Sequence, residues 1–284
     1  MEKVKISVLI PVKNEIKNIE NCIQNLINWA DEVLIVDSNS TDGTIQLLEK
    51  YPVKIIQFYY EGGWPKKRQW VLDNYQFRNP WILLLDADEI LGESIKEEIR
   101  VAIDRKDIDG YWINFEMVFM GKHLRYGGSS VWKLFLFRTG KGRFEKRILN
   151  QNINMSDIEV HEHVIVDGKT ARLRHPIKHE NVNSFFRYIQ KHNEYSEWES
   201  FLFYHNLNGE LKPTLNGNQA QRRRWLKKKF ILFPGSPFFY FILNYIFKLG
   251  FLDGAQGFYF CVLQGIQIFH IKIKVLEKKM YNRA

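Results

Sequence analysis

Three patterns in the 284-residue chain predict an α/β protein with a mostly parallel central sheet and a helical C-terminal region. In the first 90 residues, short uninterrupted apolar runs alternate with stretches of helical spacing, the pattern of a parallel sheet covered on both faces. From residue 184 onward, apolar positions 185, 186, 189, 198, 201 and 202 follow a helical period. Charge divides in the same direction. Residues 1–100 hold 12 Lys+Arg against 16 Asp+Glu, whereas 201–284 hold 13 against 3. We therefore expect one domain over 1–183 and a second region, helical, basic and aromatic, over 184–284.

The elements follow in order. Residues 6–11 (ISVLIP) read as a buried strand. The apolar positions 19, 22, 23, 26 and 27 make a helix within 18–29. A second strand is expected over 32–37, a helix over 44–51, a third strand over 53–58 and a helix over 65–75, whose Pro65 is tolerated in the first turn. Residues 81–85 (WILLL) form the fourth strand and run into Asp86. Stretches 111–120 and 134–138 read as hairpin strands finishing the sheet. Between them the loop 121–131, with Gly127 and Gly128, is read as a mobile lid or a plain hairpin loop. A last helix is expected over 255–273.

Composition removes several function classes. With 45% hydrophobic and 15% aromatic residues the chain is too apolar to stay unfolded. Two cysteines, Cys22 and Cys261, cannot build a disulfide scaffold and read as small core hydrophobes of a reducing, cytoplasmic setting. No secretory leader is read, because the charged start is followed by an apolar run of only 6–12. No apolar run of about 20 residues is found, so a simple membrane span is not expected. The nearest candidate, 230–247, is interrupted by Pro234, Gly235 and Pro237.

In open parallel sheets ligands bind at the carboxyl ends of the strands. Glu15, Asp37, Asp86 and Asp88 all fall at or just after predicted strands. Four acids on one edge repel each other unless a cation or a hydrogen-bonding ligand sits among them. In Asp86-Ala87-Asp88 the spacing of two turns both carboxylates to one side, a geometry that can hold a divalent cation together with a diphosphate. Mn2+ or Mg2+ suits such oxygen ligands. A solvated turn or a helix cap is the plainer alternative.

These residues carry a resemblance. Ile10-Pro11-Val12-Lys13-Asn14-Glu15, then Val36-Asp37-Ser38-Asn39-Ser40-Thr41-Asp42-Gly43-Thr44, then Asp86-Ala87-Asp88-Glu89 agree in order and spacing with the family 2 inverting glycosyltransferases. The chain is especially similar to their lipopolysaccharide core glucosyltransferase branch, through Trp29-Ala30-Asp31-Glu32, Trp64-Pro65, Arg68-Gln69-Trp70 and Val160-His161-Glu162. The resemblance implies a nucleotide-diphospho-sugar transferase (GT-A-like) fold and a UDP-sugar donor. It implies that Pro11 and Glu15 border the base, that Asp37 binds the uracil or ribose, and that Ser38 opens the neighbouring turn. It further implies that Asp86 faces the ribose and metal-bound water and that Asp88 binds the metal. Arg68 stands where the family often has a basic residue near the donor; a surface arginine in a helix is the alternative.

Inverting transfer needs one carboxylate to deprotonate the acceptor hydroxyl, delivered from a segment other than the Asp86–Asp88 turn. Glu162 in His161-Glu162-His163 is the candidate, and it matches the family's catalytic carboxylate. His179 could complete the metal shell, since imidazole binds manganese; a hydrogen-bonded structural histidine is the alternative, and the same holds for His175.

The C-terminal region is read separately. Gln221-Arg222-Arg223-Arg224-Trp225 and Lys227-Lys228-Lys229 precede an uncharged aromatic stretch with Phe230, Phe233, Phe238, Phe239 and Tyr240. A solvated helix face is the plain reading. A cationic patch on an anionic membrane surface, with aromatics at the interface, is the sharper one. Gln-x-x-Arg-Trp also resembles the acceptor motif of processive family 2 synthases, which marks Arg224 and Trp225 as acceptor candidates. No nucleic-acid-binding module is found. The whole is read as a cytoplasmic enzyme, peripheral on the inner face of the cell membrane, that moves a sugar to a lipid-linked or lipopolysaccharide-type saccharide. The alternatives are a nucleotidyltransferase using the same acids, or a non-catalytic basic protein binding membrane or nucleic acid.

Overall fold

The computed structural model describes residues 2–146, 157, 162–179, 185–206 and 210–281. The chain separates into two units. Unit 1 comprises the described residues of Met1–Met117, Val131–Phe144 and Asn150–Val182, and unit 2 those of Val118–Ser130, Glu145–Leu149 and Asn183–Ala284.

Unit 1 is built on β1 (Val4–Val12), α1 (Ile19–Leu26), β2 (Ala30–Asp37), α2 (Thr44–Leu48), β3 (Lys54–Gln57), α3 (Lys67–Asn74), β4 (Trp81–Leu84), β5 (Glu89–Ile90) and α4 (Glu93–Ala102). β6 (Gly110–Phe119), with its last two residues in unit 2, then precedes β7 (Lys122–His123) of unit 2 and β8 (Ser130–Arg138). The short strands β9 (Gly142–Phe144), β10 (Val164–Val166), β11 (Thr170–Arg172) and β12 (Ile177–His179) complete the set. The strand order is β3-β2-β1-β4-β8-β6-β12-β5, with β11 also on β6, while β9 and β10 form a separate pair. β1 pairs in parallel with β2 and β4, and β2 with β3; β4–β8 and β12–β5 are antiparallel.

β1 is buried along nearly its whole length because it lies in mid-sheet with helices on its faces, which is why its sequence is a continuous apolar run. α1 buries Ile19, Cys22, Ile23 and Leu26, one helical stripe, against that sheet. The predicted strands and helices to residue 85 all appear, several one to four residues shorter. The sequence reading did not find α4 or the two- and three-residue strands, whose runs are too short for a period to show. At the end of the sheet remote from the candidate site, Glu32 accepts hydrogen bonds from the Ser7 hydroxyl (2.5 Å), the Tyr75 hydroxyl (2.6 Å) and the Arg78 N–H (3.1 Å).

Unit 2 is helical: α5 (Phe185–Tyr204), α6 (Gln219–Phe230), α7 (Ser236–Ile242), a π-helical turn Leu243–Phe247, a 3-10 turn Gly250–Asp253 and α8 (Gly254–Tyr281). Its core joins Ile231 to Ile268, Ile271 and Val275. α6 starts on a capping box, with the Asn218 side chain accepting from Gln221 N–H and Gln221 reaching back to Asn218 N–H. Of the loop 121–131, expected as a mobile lid or a plain hairpin loop, Lys122 to Ser129 is tied down within this unit. The Asp253 carboxylate accepts from the N–H groups of Arg125 and Tyr126, the latter at 2.8 Å, and its carbonyl accepts from Lys122 Nζ at 2.6 Å. Gly127 donates to the Lys248 carbonyl with φ +65°, and a Cβ there would stand 2.9 Å from Cys261 Sγ. Only glycine fits that turn. Gly250–Tyr281 is, among the described residues, the one helical stretch long and apolar enough by length and composition to cross a membrane. The candidate singled out from sequence, 230–247, is instead broken into the end of α6, a turn, α7 and the π turn.

Candidate active site

The register of the parallel strands brings the first acids together. Pro11 lies opposite Val36 and Val12 opposite Asp37, so the turns after β1 and β2 leave the sheet side by side. In the first turn the Glu15 N–H donates to Thr44 Oγ1 (3.0 Å), and the Glu15 carboxylate accepts from Asn18 Nδ2 (2.7 Å). Asp37 is buried and holds the next turn shut, accepting from the Ser40 N–H (3.1 Å) and hydroxyl (2.5 Å). Asp42 accepts from Thr44 N–H and hydroxyl and from Ile16 N–H. These bonds outweigh burial and leave its carboxyl below the usual range.

The other acids meet three consecutive cations. Lys66, Lys67 and Arg68 stand at the N-terminus of α3, almost wholly buried. Each side chain takes a different carboxylate. Lys66 Nζ is 3.1 Å from Glu162 Oε1, Lys67 Nζ is 3.1 Å from Asp157 Oδ2, and the Arg68 guanidinium binds Asp86. Lys67 also donates to the Val12 carbonyl at the end of β1 (2.8 Å). Burial drives the Lys67 ammonium below its ordinary pKa, with Asp157 offsetting part of the shift. Burial would raise Asp157, but Lys67 and the Ser38 hydroxyl hold it below the usual carboxylate range. The fragment thus ties the end of β1, the turn after β2 and the turn after β4 to one helix start.

Asp86, Asp88 and Glu89 face a second set of partners. β5 pairs with β12 so that Glu89 lies opposite His179. Glu89 is fully buried and accepts from Asp86 N–H (2.8 Å) and Lys133 Nζ (3.0 Å). Lys133 also lies 3.5 Å from Asp86 and 4.3 Å above the Phe115 ring. Burial would lower its pKa, yet Glu89 and Asp86 hold it above the ordinary value. The His179 ring is 3.4 Å from Asp88 through Nε2 and 3.5 Å from Glu89 through Nδ1. Burial alone would lower this imidazole; Asp88 and Glu89 instead push it up to about 9. Ligand atoms of Asp86, Glu89 and His179 all lie within 4.8 Å of one another. Two carboxylates and an imidazole form a donor set that suits manganese or magnesium, so these residues fit a divalent cation.

Unit 1 therefore gathers Pro11, Glu15, Asp37, Ser38, Arg68, Asp86, Asp88, Glu162 and His179. Among the motif neighbours of Glu162, Val160 and His161 lie outside the described residues. His175, the less favoured histidine, is half-exposed and bonded to Glu98, outside this cluster. Sequence reasoning missed Lys66, Lys133 and Asp157, and it missed Glu89 as a possible ligand. The available signals were the lysine pair just before Arg68 and the acid just after Asp88. Arg224 and Trp225 belong to unit 2. Arg224 makes a two-pronged ion pair with the fully buried Glu145, with Nη1 to Oε2 at 2.9 Å, and donates to the Leu211 carbonyl (3.0 Å). The Trp225 ring is half-buried, edge-on to Phe230.

The family model "Glycosyl transferase family 2" matches residues 7–230. The lipopolysaccharide core biosynthesis glycosyltransferase LpsC of Rhizobium meliloti (strain 1021) is 27% identical over 296 residues, covering 97% of this chain and 93% of LpsC. An uncharacterized glycosyltransferase of Rickettsia bellii (strain RML369-C) is 36% identical over 107 residues; the match spans 38% of this chain and 35% of that protein's length. Among solved structures, S. aureus TarS 1–349 aligns over 97% of this chain and 91% of its own, with a TM-score of 0.48 and 16% identity.

Proposed function

The chain belongs to glycosyl transferase family 2, and from this premise we propose that it moves one sugar, with inversion, from a UDP-sugar to a lipid-linked or lipopolysaccharide-type saccharide. Unit 1 is accordingly the GT-A-like part, a mixed, mostly parallel sheet with its acids at one edge, and the protein is a glycosyltransferase. Membership sets aside the non-catalytic reading. The likeness to LpsC supports the acceptor class.

One observation carries the proposal: Asp86, Glu89 and His179 converge within 4.8 Å at the edge where Asp37 and Asp88 also stand. In this reading Pro11, Glu15, Asp37 and Ser38 hold the donor's nucleoside, and Arg68 offers its guanidinium to the donor phosphates. Asp86, Asp88 and His179, with Glu89 beside them, would hold Mn2+ or Mg2+, which when bound supplies positive charge against a departing diphosphate. Glu162 acts as base. Its carboxylate takes the proton of the acceptor hydroxyl, whose oxygen bonds to the anomeric carbon from the face opposite the breaking bond to the diphosphate. Lys66 positions that carboxylate by its ion pair. Arg224 and Trp225 are proposed near the acceptor, and the 184–284 region as the part that meets the membrane. The enzyme then works in the cytoplasm, peripheral on the inner face of the membrane.

Glu162→Gln tests this. The variant should bind UDP with wild-type affinity, measured by calorimetry, and lose sugar transfer by at least about a hundredfold. Transfer at the wild-type rate would move the base elsewhere.

A further inference from the structure

Large aromatic side chains crowd the surface of unit 2. Phe230, Phe233, Phe238, Phe239 and Phe247 are each 50–75% exposed. Phe230 closes α6 and the others come after it in the chain; in the same last turn Lys228 and Lys229 are exposed. Isolated surface apolar residues need no explanation, but a run of this kind marks an interaction surface. Its charge indicates the partner. Between Glu210 and Asp253 the sequence has eight basic residues and no acidic one. Arg224 and Lys227 are paired with Glu145 and Glu199, but the segment stays strongly cationic beside exposed aromatics, and that combination matches a layer with acyl chains beneath anionic headgroups.

Geometry decides how the layer is met. Ser236–Ile242 and Leu243–Phe247 together span about 18 Å at 1.5 Å per residue, well short of a hydrocarbon core of about 30 Å. Gly250–Tyr281 is long enough, with 33% of its most apolar window buried. Its buried face is already committed. Ile268, Ile271 and Val275 pack with Ile231. Lys274 Nζ donates to the Asn193 carbonyl, Asn193 Oδ1 and Ser196 Oγ, each at 2.8 Å, and Gln267 donates to the His192 carbonyl at 3.2 Å. Crossing the bilayer would break every one of these bonds to α5 and carry Lys272 and Lys274 into hydrocarbon.

We propose that unit 2 seats in the plane of an anionic membrane interface, with Phe238, Phe239 and Phe247 among the acyl chains and Lys228 and Lys229 at the headgroups, and with no helix crossing. The inference rests on the peripheral location proposed above and adds its mode. Flotation of the full chain with phosphatidylcholine vesicles, with and without phosphatidylglycerol, is the test. Binding is expected only with the anionic lipid. Replacing Phe238, Phe239 and Phe247 together by Ser should weaken it about a hundredfold. Lys228→Glu with Lys229→Glu should weaken it about tenfold at low salt. In inside-out vesicles from a bacterial host, cysteines at Lys229 and Tyr281 should both react with an impermeant maleimide. Protection of either cysteine, equal flotation with both lipids, or a solution dimer that the phenylalanine variant converts to monomer would overturn the proposal. Sugar transfer to a water-soluble acceptor fragment, measured on the same preparations, separates the two readings. Transfer without flotation removes the membrane mode alone, and flotation without transfer removes the catalytic reading alone.

Discussion

Lys66 and Glu162 meet at 3.1 Å with neither side chain touching solvent. Removing one partner of such a pair strands the other as a buried charge, which typically costs about 3–5 kcal/mol. Lys66→Met is therefore expected to lower unfolding stability by that amount. Lys66→Met with Glu162→Gln should recover a large part of the loss. A denaturant-unfolding double-mutant cycle checks this, and additive losses would mean that the two side chains do not act as a pair.

Asp88 probes the cluster around His179. Asp88→Ala should leave the fold intact and reduce divalent-metal-dependent turnover by more than about a hundredfold, beyond the effect usual for residues that merely support a ligand. Turnover unchanged across a manganese titration would remove Asp88 from the metal assignment.

Arg224 separates two roles. Its guanidinium forks onto the buried Glu145. Arg224→Leu should lower stability by roughly 3–5 kcal/mol, with Arg224→Leu/Glu145→Leu near neutral. If Arg224 also serves the acceptor, the double variant, though stable, should show a raised KM for the acceptor and an unchanged KM for the donor.

Glu32 makes acid stability testable. Burial alone would raise its pKa, but hydrogen bonds from Ser7 and Tyr75 and the Arg78 N–H hold it below the ordinary carboxylate value. The folded state thus keeps the carboxylate charged where the unfolded chain is already protonating. Its contribution is complete above the unfolded value and is lost as pH falls through the folded one. Glu32→Gln should flatten the decline of melting temperature below about pH 4.5; an unchanged slope would assign the acid sensitivity to other groups.

Much of the site was legible because strand-end acids announce themselves locally. Asp37 ends an apolar run, and Asp86 and Asp88 follow one, so a parallel sheet puts them on one edge whatever the rest of the chain does. Glu89 was harder. The residue after Asp88 turns inward only because a two-residue strand pairs with β12, and neither strand is long enough to show a period. With its two adjacent glycines, 121–131 reads from sequence as either a lid or a plain hairpin loop. The structure shows that the same glycines let the backbone approach Cys261 while Asp253 fastens the neighbouring amides.

The sequence by itself determined the alternation of strands and helices, the acidic edge and the basic, aromatic C-terminal region, since each follows from residue types at short, regular spacing. Only the tertiary structure decided which cation meets which acid: Lys66 with Glu162, Lys67 with Asp157, Arg68 with Asp86, and Arg224 with Glu145. Local periodicity sets which way a side chain leaves its own helix or strand. The partner it finds is chosen by strand register and by packing between segments far apart in the chain, and no local pattern of residues specifies that choice.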